Sequence, residues 1–158
     1  MEHRPADAAL MQLALAQARQ AAKAGEVPVG AVLADASGRS LSAAGNGTLS
    51  LNDPTAHAEI LCLRRGAETE GNHRLTGLTL VVTLEPCLMC VGAAIQARLE
   101  RVVFGAFDPK AGALVSHLDG ANLPFSNHHF QVAAGVLELE CSEMLREFFR
   151  ERRKMRRP

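Results

Sequence analysis

Two short segments far apart in the chain carry the side chains that most constrain its fold. His57 and Glu59 lie in the first segment, and Cys87 and Cys90 follow Pro86 in the second. Imidazole nitrogen and cysteine sulfur are preferred ligands of Zn²⁺, and three of them leave the fourth tetrahedral position open. Because structural zinc sites normally have four protein ligands, this set favours a catalytic zinc with water in the fourth position. The fold must therefore bring the two segments together.

The spacing within each segment indicates how the ligands converge. Cys87 and Cys90 are three residues apart, so on a helix they share one face. Near a helix N-terminus they also lie where the helix dipole favours the metal-binding thiolate. His57 and Glu59 are two apart and share no face within a helix, but both can border a site beyond its N-terminus. We therefore expect two helix N-termini to point at one metal ion.

Glu59 is not needed as a ligand and is positioned to move protons as a general base and acid. A solvated carboxylate in the first turn of a helix is the structural alternative. The Cys87–Cys90 pair alone is also compatible with half of a zinc knuckle or with a redox pair. The upstream His57 and Glu59 favour the catalytic zinc over both.

Length and composition indicate one globular domain. The chain has 158 residues, of which 47% are apolar and 22% charged. Its longest apolar run is far shorter than the roughly 20 residues that a membrane span needs, and its N-terminus shows no signal-peptide pattern. Cys62 and Cys141 have no partner at metal-ligand spacing, which predicts small buried side chains rather than a secreted disulfide framework. We expect a cytoplasmic protein.

Charge is unevenly distributed along a chain whose net charge is zero. Residues 150–157 contain six basic residues and one acidic residue, a local charge of +5, so the remainder sums to −5. An acidic body with a basic tail is typical of proteins with a polyanionic partner. The alternative is a solvated helix end whose cations face the C-terminal dipole.

The apolar pattern predicts helices that alternate with buried strands, which favours a layered α/β fold. Helices are expected over residues 7–24, 57–68, 86–98 and from 139 into the tail. Strands are expected at 29–34, 40–44, 78–84, 101–107 and 132–137, with irregular chain over 108–131.

Longer stretches of the chain carry a resemblance to one enzyme family. They are residues 26–32, 53–60, 83–90 and 101–106, Asp108 with Gly112-Ala113, and Phe148-Phe149-Arg150 with the arginines that follow. In these stretches, from about residue 8 to 155, the chain resembles the bacterial tRNA-specific adenosine deaminase (TadA) family. The zinc-ligand segments alone indicate only the wider deaminase superfamily.

The resemblance implies a fold, an activity and an assembly. The implied fold is a cytidine-deaminase-like three-layer αβα sandwich with a mixed five-stranded sheet, formed by residues 1–158 as one domain. The implied enzyme is a homodimer that hydrolyses adenosine to inosine at the wobble position of a tRNA anticodon. His57, Cys87 and Cys90 would bind zinc, and Glu59 would move the protons.

Other positions match the family's substrate contacts. Asn46 matches a position beside the target nucleotide, and Asp108 matches one near its ribose. The structural alternatives are a turn residue before Gly47 and a loop carboxylate before Pro109.

In this family context the basic tail acquires a role. Arginines supply phosphate contacts, and exposed RNA bases stack on aromatic or guanidinium planes. Phe149, Arg150, Arg152 and Arg153 are therefore expected to contact RNA, whereas Phe148 continues the apolar helix face.

The chain departs from the family pattern at His73, where a tyrosine is expected, while Asn127 and His128 match a family pair without an evident role.

Two rival functions remain open from the sequence. One is a free nucleobase or nucleoside deaminase of the guanine or cytosine type. The other is a non-catalytic RNA-binding zinc protein. Neither the tRNA nor its flanking bases can be read from the sequence.

Overall fold

A mixed five-stranded sheet forms the centre of the molecule in the computed structural model, which describes residues 2–156 and leaves Met1, Arg157 and Pro158 outside. The strands lie in the order β2-β1-β3-β4-β5. β1 is antiparallel to β2 and β3, whereas β3, β4 and β5 are parallel. The mixed sheet implied by the resemblance is confirmed. The strands are β1 (Gly30–Ala34), β2 (Ser40–Gly45), β3 (Thr79–Leu84), β4 (Arg101–Ala106) and β5 (Gln131–Ala134).

Helices cover both faces of this sheet. Side chains of α2 and α3 pack with Leu80, Val82 and Phe104 in one apolar cluster. Side chains of α1 and α4 pack with Val81 and Val103 in a second cluster on the other face. The expected αβα sandwich is therefore confirmed. The helices are α1 (Asp7–Lys23), α2 (Ala58–Glu70), α3 (Leu88–Ala97) and α4 (Glu138–Arg156).

The continuous apolar runs of the sequence follow directly from this layering. Successive side chains of a strand point to opposite faces of the sheet, so a strand covered on both faces is apolar at every position. β1, with the sequence Gly-Ala-Val-Leu-Ala, and β4 are buried along their whole length. β2 is at the sheet edge, and its burial is incomplete.

Several predicted boundaries are wrong by a few residues. Pro86 does not open a helix, because Cys87 is the N-cap of α3 and helical geometry begins at Leu88. The last strand covers Gln131–Ala134 rather than 132–137, because the chain turns at Gly135 (φ 82°) before α4. The expected irregular segment contains a short 3₁₀ helix, Gly120–Asn122. Cys62 and Cys141 are buried as predicted.

A buried ion pair fixes the start of α1 against the N-terminal end of β4. Arg101, at the start of β4, donates two hydrogen bonds to Asp7 at the start of α1, at 2.7 and 2.5 Å. Burial opposes ionisation of Asp7, but the hydrogen bonds and charge of Arg101 outweigh it and lower the pKa of the carboxyl. In the part of the chain that the structure describes, no helix is long and apolar enough to cross a membrane.

The segments of chemical interest lie at the opposite edge of the sheet, which is formed by the other ends of the strands. β2 and β3 are both antiparallel to β1, so the carboxyl ends of β2, β3 and β4 meet at this edge. Ligand sites in open α/β sheets lie outside the carboxyl ends of the strands. The chain leaves these three ends through Asn46, Glu85 and Phe107.

Candidate active site

Two helix N-termini bring three metal ligands together at this edge. His57 is the N-cap of α2 and Cys87 the N-cap of α3, while Cys90 lies in the first turn of α3. His57 Nδ1 lies 3.6 Å from the Sγ of Cys87 and 3.6 Å from the Sγ of Cys90. The expected convergence of the two sequence segments is therefore observed.

These distances fit a tetrahedral zinc site. Zn–S bonds of about 2.3 Å and Zn–N bonds of about 2.0–2.1 Å at a tetrahedral angle separate nitrogen from sulfur by about 3.6 Å. His57 would therefore bind the ion through Nδ1. Within residues 2–156 the ligand cluster consists of His57, Cys87 and Cys90, with no fourth His, Cys, Asp or Glu. A fourth position open to water is the arrangement of a catalytic zinc site.

Hydrogen bonds among the three candidate ligands shift their pKa values. Hydrogen bonds from Cys90 and His57 lower the pKa of Cys87 to about 3. The hydrogen bond between the two sulfurs raises the pKa of Cys90, and the hydrogen bond with Cys87 raises that of His57. A divalent ion would bind these groups in their deprotonated forms, with both cysteines as thiolates.

Glu59 lies in the first turn of α2 beside these ligands. It is only 4% exposed, so it is not the solvated first-turn carboxylate of the structural alternative. Burial raises the pKa of its carboxyl. A raised pKa favours the protonated form, so this carboxyl group can act as a general acid as well as a general base.

Glu85, which the sequence reasoning missed, joins the metal segment to the loop that contains Asp108. Its carboxylate accepts backbone hydrogen bonds from Asp108 (3.1 Å), Leu114 (3.1 Å), Val115 (2.9 Å) and Ser116 (2.9 Å). Gly112 is buried against this carboxylate, and a Cβ at that position would overlap it. The loop after β4 is therefore fixed relative to Cys87, two residues beyond Glu85.

The two expected nucleotide contacts lie on loops that leave the same edge. Asn46 follows β2 and is half-buried, and its N–H donates to the Val29 carbonyl at 3.0 Å. Asp108 is also half-buried, and its Oδ1 accepts the N–H groups of Lys110 (3.0 Å) and Ala111 (3.3 Å). The carboxylate thus closes its own turn in the loop.

Residues 150–156 of the basic tail belong to α4, which lies beside the loop after β2. Arg152 stacks on the Phe148 ring, with 4.8 Å from its guanidinium carbon to the ring centroid, and donates to the Gly25 carbonyl. Phe149, Arg150 and Arg153 are exposed. A cleft of about 450 Å³ separates this part of the tail from Thr48 and Leu49, among other lining residues.

The residues without an assigned role lie at the other ends of the helices. His73 is exposed and follows α2, whose 13 residues place it about 20 Å from the ligand-bearing N-terminus. Asn127 accepts a hydrogen bond from Arg98 at 2.9 Å, and His128 Nε2 lies 2.7 Å from the Leu99 carbonyl oxygen. Asn127 and His128 therefore fasten the chain at the C-terminal end of α3.

The chain is similar to proteins of known function over most of its length. The family model for the cytidine and deoxycytidylate deaminase zinc-binding region matches residues 4–106. The tRNA-specific adenosine deaminase of Agrobacterium fabrum is 48% identical, over 90% of this chain and 93% of its own length.

Solved structures share the whole architecture. One, from a study of A-to-I editing by tRNA:A34 deaminases at the wobble position, has a TM-score of 0.83 and 46% identity over 87% of this chain and 99% of that chain. A guanine deaminase from Nitrosomonas europaea has a TM-score of 0.77 and 25% identity over 94% and 86%.

The fold and the His-Cys-Cys site define a zinc-dependent deaminase of the cytidine and deoxycytidylate deaminase class. The high identity over most of both chains narrows this class further. The chain belongs to the tRNA-specific adenosine deaminase family.

Proposed function

We propose that this chain acts as a single deaminase domain that hydrolyses adenosine to inosine at the wobble position of a tRNA anticodon. The observation that carries the reaction is the convergence of His57, Cys87 and Cys90 beside the buried Glu59. The observation that carries the substrate is the similarity to tRNA-specific adenosine deaminases and to the tRNA:A34 deaminase structure.

The proposed mechanism assigns the proton transfers to Glu59. Zinc, when held by His57, Cys87 and Cys90, supplies a Lewis acid that makes a water molecule nucleophilic near neutral pH. Glu59 takes a proton from the attacking water as the water oxygen bonds to C6 of adenine. Glu59 then gives this proton to the ring nitrogen N1. Glu59 then takes the remaining proton from the new hydroxyl on C6 and passes it to the departing amine, so that the bond between C6 and the amino nitrogen breaks and ammonia leaves behind a C6 carbonyl.

Asn46 and Asp108 are proposed to hold the target nucleotide from two sides. Their loops leave β2 and β4, on either side of β3 and its metal segment. The side-chain amide of Asn46 offers two N–H donors and an acceptor oxygen, whereas the carboxylate of Asp108 can accept a hydrogen bond from a ribose hydroxyl. A 2′-hydroxyl donor is the group that distinguishes RNA from DNA.

The tail is proposed to bind the RNA backbone and its exposed bases. Phe149 provides an aromatic face and Arg153 an exposed charge in the cleft next to Leu49, and Arg150 adds a further exposed charge on the same helix. Arg152 is proposed to contribute to the same RNA-binding surface. Its guanidinium stacks on Phe148, where it both anchors the tail and adds positive charge.

An anticodon stem-loop with adenosine at the wobble position provides the test of this function. We expect the zinc-loaded protein to convert that adenosine to inosine, measured by mass spectrometry after nuclease digestion. Charge reversal at Arg150 and Arg153 together should raise KM about 10-fold or more, because phosphate contacts carry most sequence-independent affinity.

The same charge reversal at the exposed Arg146, earlier on α4, is the matched control and should change KM little. Absence of inosine with zinc-loaded protein would contradict the proposed function. Turnover of free guanine without turnover of the stem-loop would instead support a guanine deaminase, the activity named for the Nitrosomonas europaea structure.

A homodimer is proposed because α3 exposes two neighbouring large apolar side chains at its start. Cys90, Val91 and Ala94 face the core, while Leu88 is 62% exposed and Met89 is also exposed. Exposed apolar surface of this kind is typical of protein interfaces.

We expect the protein to sediment as a dimer and Leu88→Lys to shift it towards the monomer. Leu139→Lys, at an exposed leucine of α4, should leave the dimer intact. Sedimentation velocity measures both variants, and a monomeric wild-type protein would contradict the proposal.

A cytoplasmic location is proposed from the state of the cysteines. All four cysteines are free, and two of them belong to the metal cluster. Free thiols and thiolate metal ligands persist in reducing compartments.

A further inference from the structure

A buried carboxylate outside the metal site holds the loop that follows Asn46. Glu26 lies between α1 and β1 and is 1% exposed. Its Oε2 accepts hydrogen bonds from the Ser50 N–H (2.7 Å) and hydroxyl (2.6 Å), and its Oε1 accepts one from the Leu49 N–H (3.1 Å). Across residues 2–156, no basic side chain lies within 4.0 Å of this carboxylate.

The charge of Glu26 and the conformation of the loop stabilise each other. Burial opposes ionisation of this carboxyl, but the hydrogen bonds from Ser50, Leu49 and Thr48 outweigh it and lower its pKa. A buried carboxylate without these donors would be strongly unfavourable. Since residues 48–50 supply the donors only in this conformation, the carboxylate selects one conformation of the loop.

The selected loop connects a proposed substrate contact to a metal ligand. At one end the Asn46 N–H donates to the Val29 carbonyl at 3.0 Å. The next residue, Gly47, donates its N–H to the carbonyl of Ala56 at 2.9 Å, and Ala56 immediately precedes His57. Movement of residues 48–50 would therefore be transmitted to Asn46, which adjoins them in the same loop.

The segment that contains Gly25 and Glu26 also contacts the basic tail. Arg152 donates to the carbonyl of Gly25, the residue before Glu26. Leu49, whose N–H is held by Glu26, is 64% exposed and lines the cleft with Phe149 and Arg153. Residues 25 and 26 thus fix the tail and the loop relative to each other.

We propose that Glu26 is a positioning residue for the RNA substrate, which holds the loop over residues 46–50 in its RNA-binding conformation. The inference rests on the proposed function, because it assigns Glu26 a part in recognition of the stem-loop. Glu26 acts through Asn46, Leu49 and the adjoining tail and does not itself touch the reacting atoms.

Glu26→Gln tests this role with little change in shape. The amide nitrogen would face an N–H donor at either oxygen position, so the loop would lose its fixed conformation. We expect KM for the anticodon stem-loop to rise about 10- to 100-fold, the loss typical of a hydrogen bond to a charged group. The kcat and the zinc content should stay close to those of the wild-type protein, and Ser50→Ala, which removes one donor, should raise KM less.

Asp7→Asn is the matched control, because Asp7 is an equally buried carboxylate at the opposite edge of the sheet. It should lower the midpoint of thermal unfolding without a selective change in KM. The inference is wrong if Glu26→Gln, like Asp7→Asn, lowers the midpoint of thermal unfolding without a selective rise in KM. If Glu26→Gln does not fold, Ser50→Ala decides instead, and an unchanged KM for that variant would also show that the inference is wrong. An inactive zinc-loaded wild-type protein would instead refute the proposed function.

Discussion

Glu59→Gln is expected to abolish deamination while zinc remains bound. The amide keeps the shape of the side chain but cannot accept a proton from water or return it to the substrate. General acid–base catalysis contributes about 10²- to 10⁴-fold, and Glu59 serves more than one transfer, so we expect kcat to fall about 10⁴-fold. Single-turnover conversion of the stem-loop and metal analysis of the purified variant measure both properties.

Two further measurements separate loss of catalysis from loss of binding. The Glu59→Gln variant should bind the anticodon stem-loop as tightly as the wild-type protein, because the carboxyl is buried and its role is in the proton transfers. Glu68→Gln, at an exposed position on the same helix, should retain full activity. A Glu59→Gln variant with near-normal turnover would favour a mechanism in which the water is activated by zinc alone.

The metal ligands could be predicted from the sequence because their chemistry is local. Cys87 and Cys90 lie three residues apart, so a single helix turn brings their sulfurs together without knowledge of the fold. His57 required one more assumption, that its helix begins there, and the structure places it at the N-cap of α2. Helices and strands were predicted by the apolar pattern, whereas their ends depended on local geometry such as the N-cap at Cys87.

The buried anchors of the two substrate loops could not be predicted in the same way. Glu26 and Glu85 each lie in an apolar stretch beside a proline or valine, and this setting was the only local signal that they are buried. Their hydrogen-bond donors are 22 to 31 residues away along the chain, so the partners come together only after folding. Arg152 shows the same limit, since its sequence neighbours indicate a surface charge and its contact with Gly25 spans 127 residues.

Cys87→Ala is expected to remove both zinc and activity. The remaining His57 and Cys90 leave two protein ligands for an ion that takes four, so bound zinc should fall to background and inosine formation with it. The fold should persist, because Cys87 belongs to neither apolar cluster of the described core. Metal analysis, the stem-loop assay and circular dichroism measure these properties.

Cys141→Ala supplies the matched control, since this buried cysteine lies in the cluster between the sheet and the α1–α4 layer. It should lower stability by about 1 kcal/mol but keep one zinc per chain and normal turnover. His57→Ala distinguishes the metal site from a redox pair. A redox pair formed by Cys87 and Cys90 would retain its thiol chemistry without the histidine, whereas a His-Cys-Cys site should lose its zinc from either substitution. Because His57 Nδ1 is equally distant from both sulfurs, we expect the histidine and the cysteine variant to have the same phenotype.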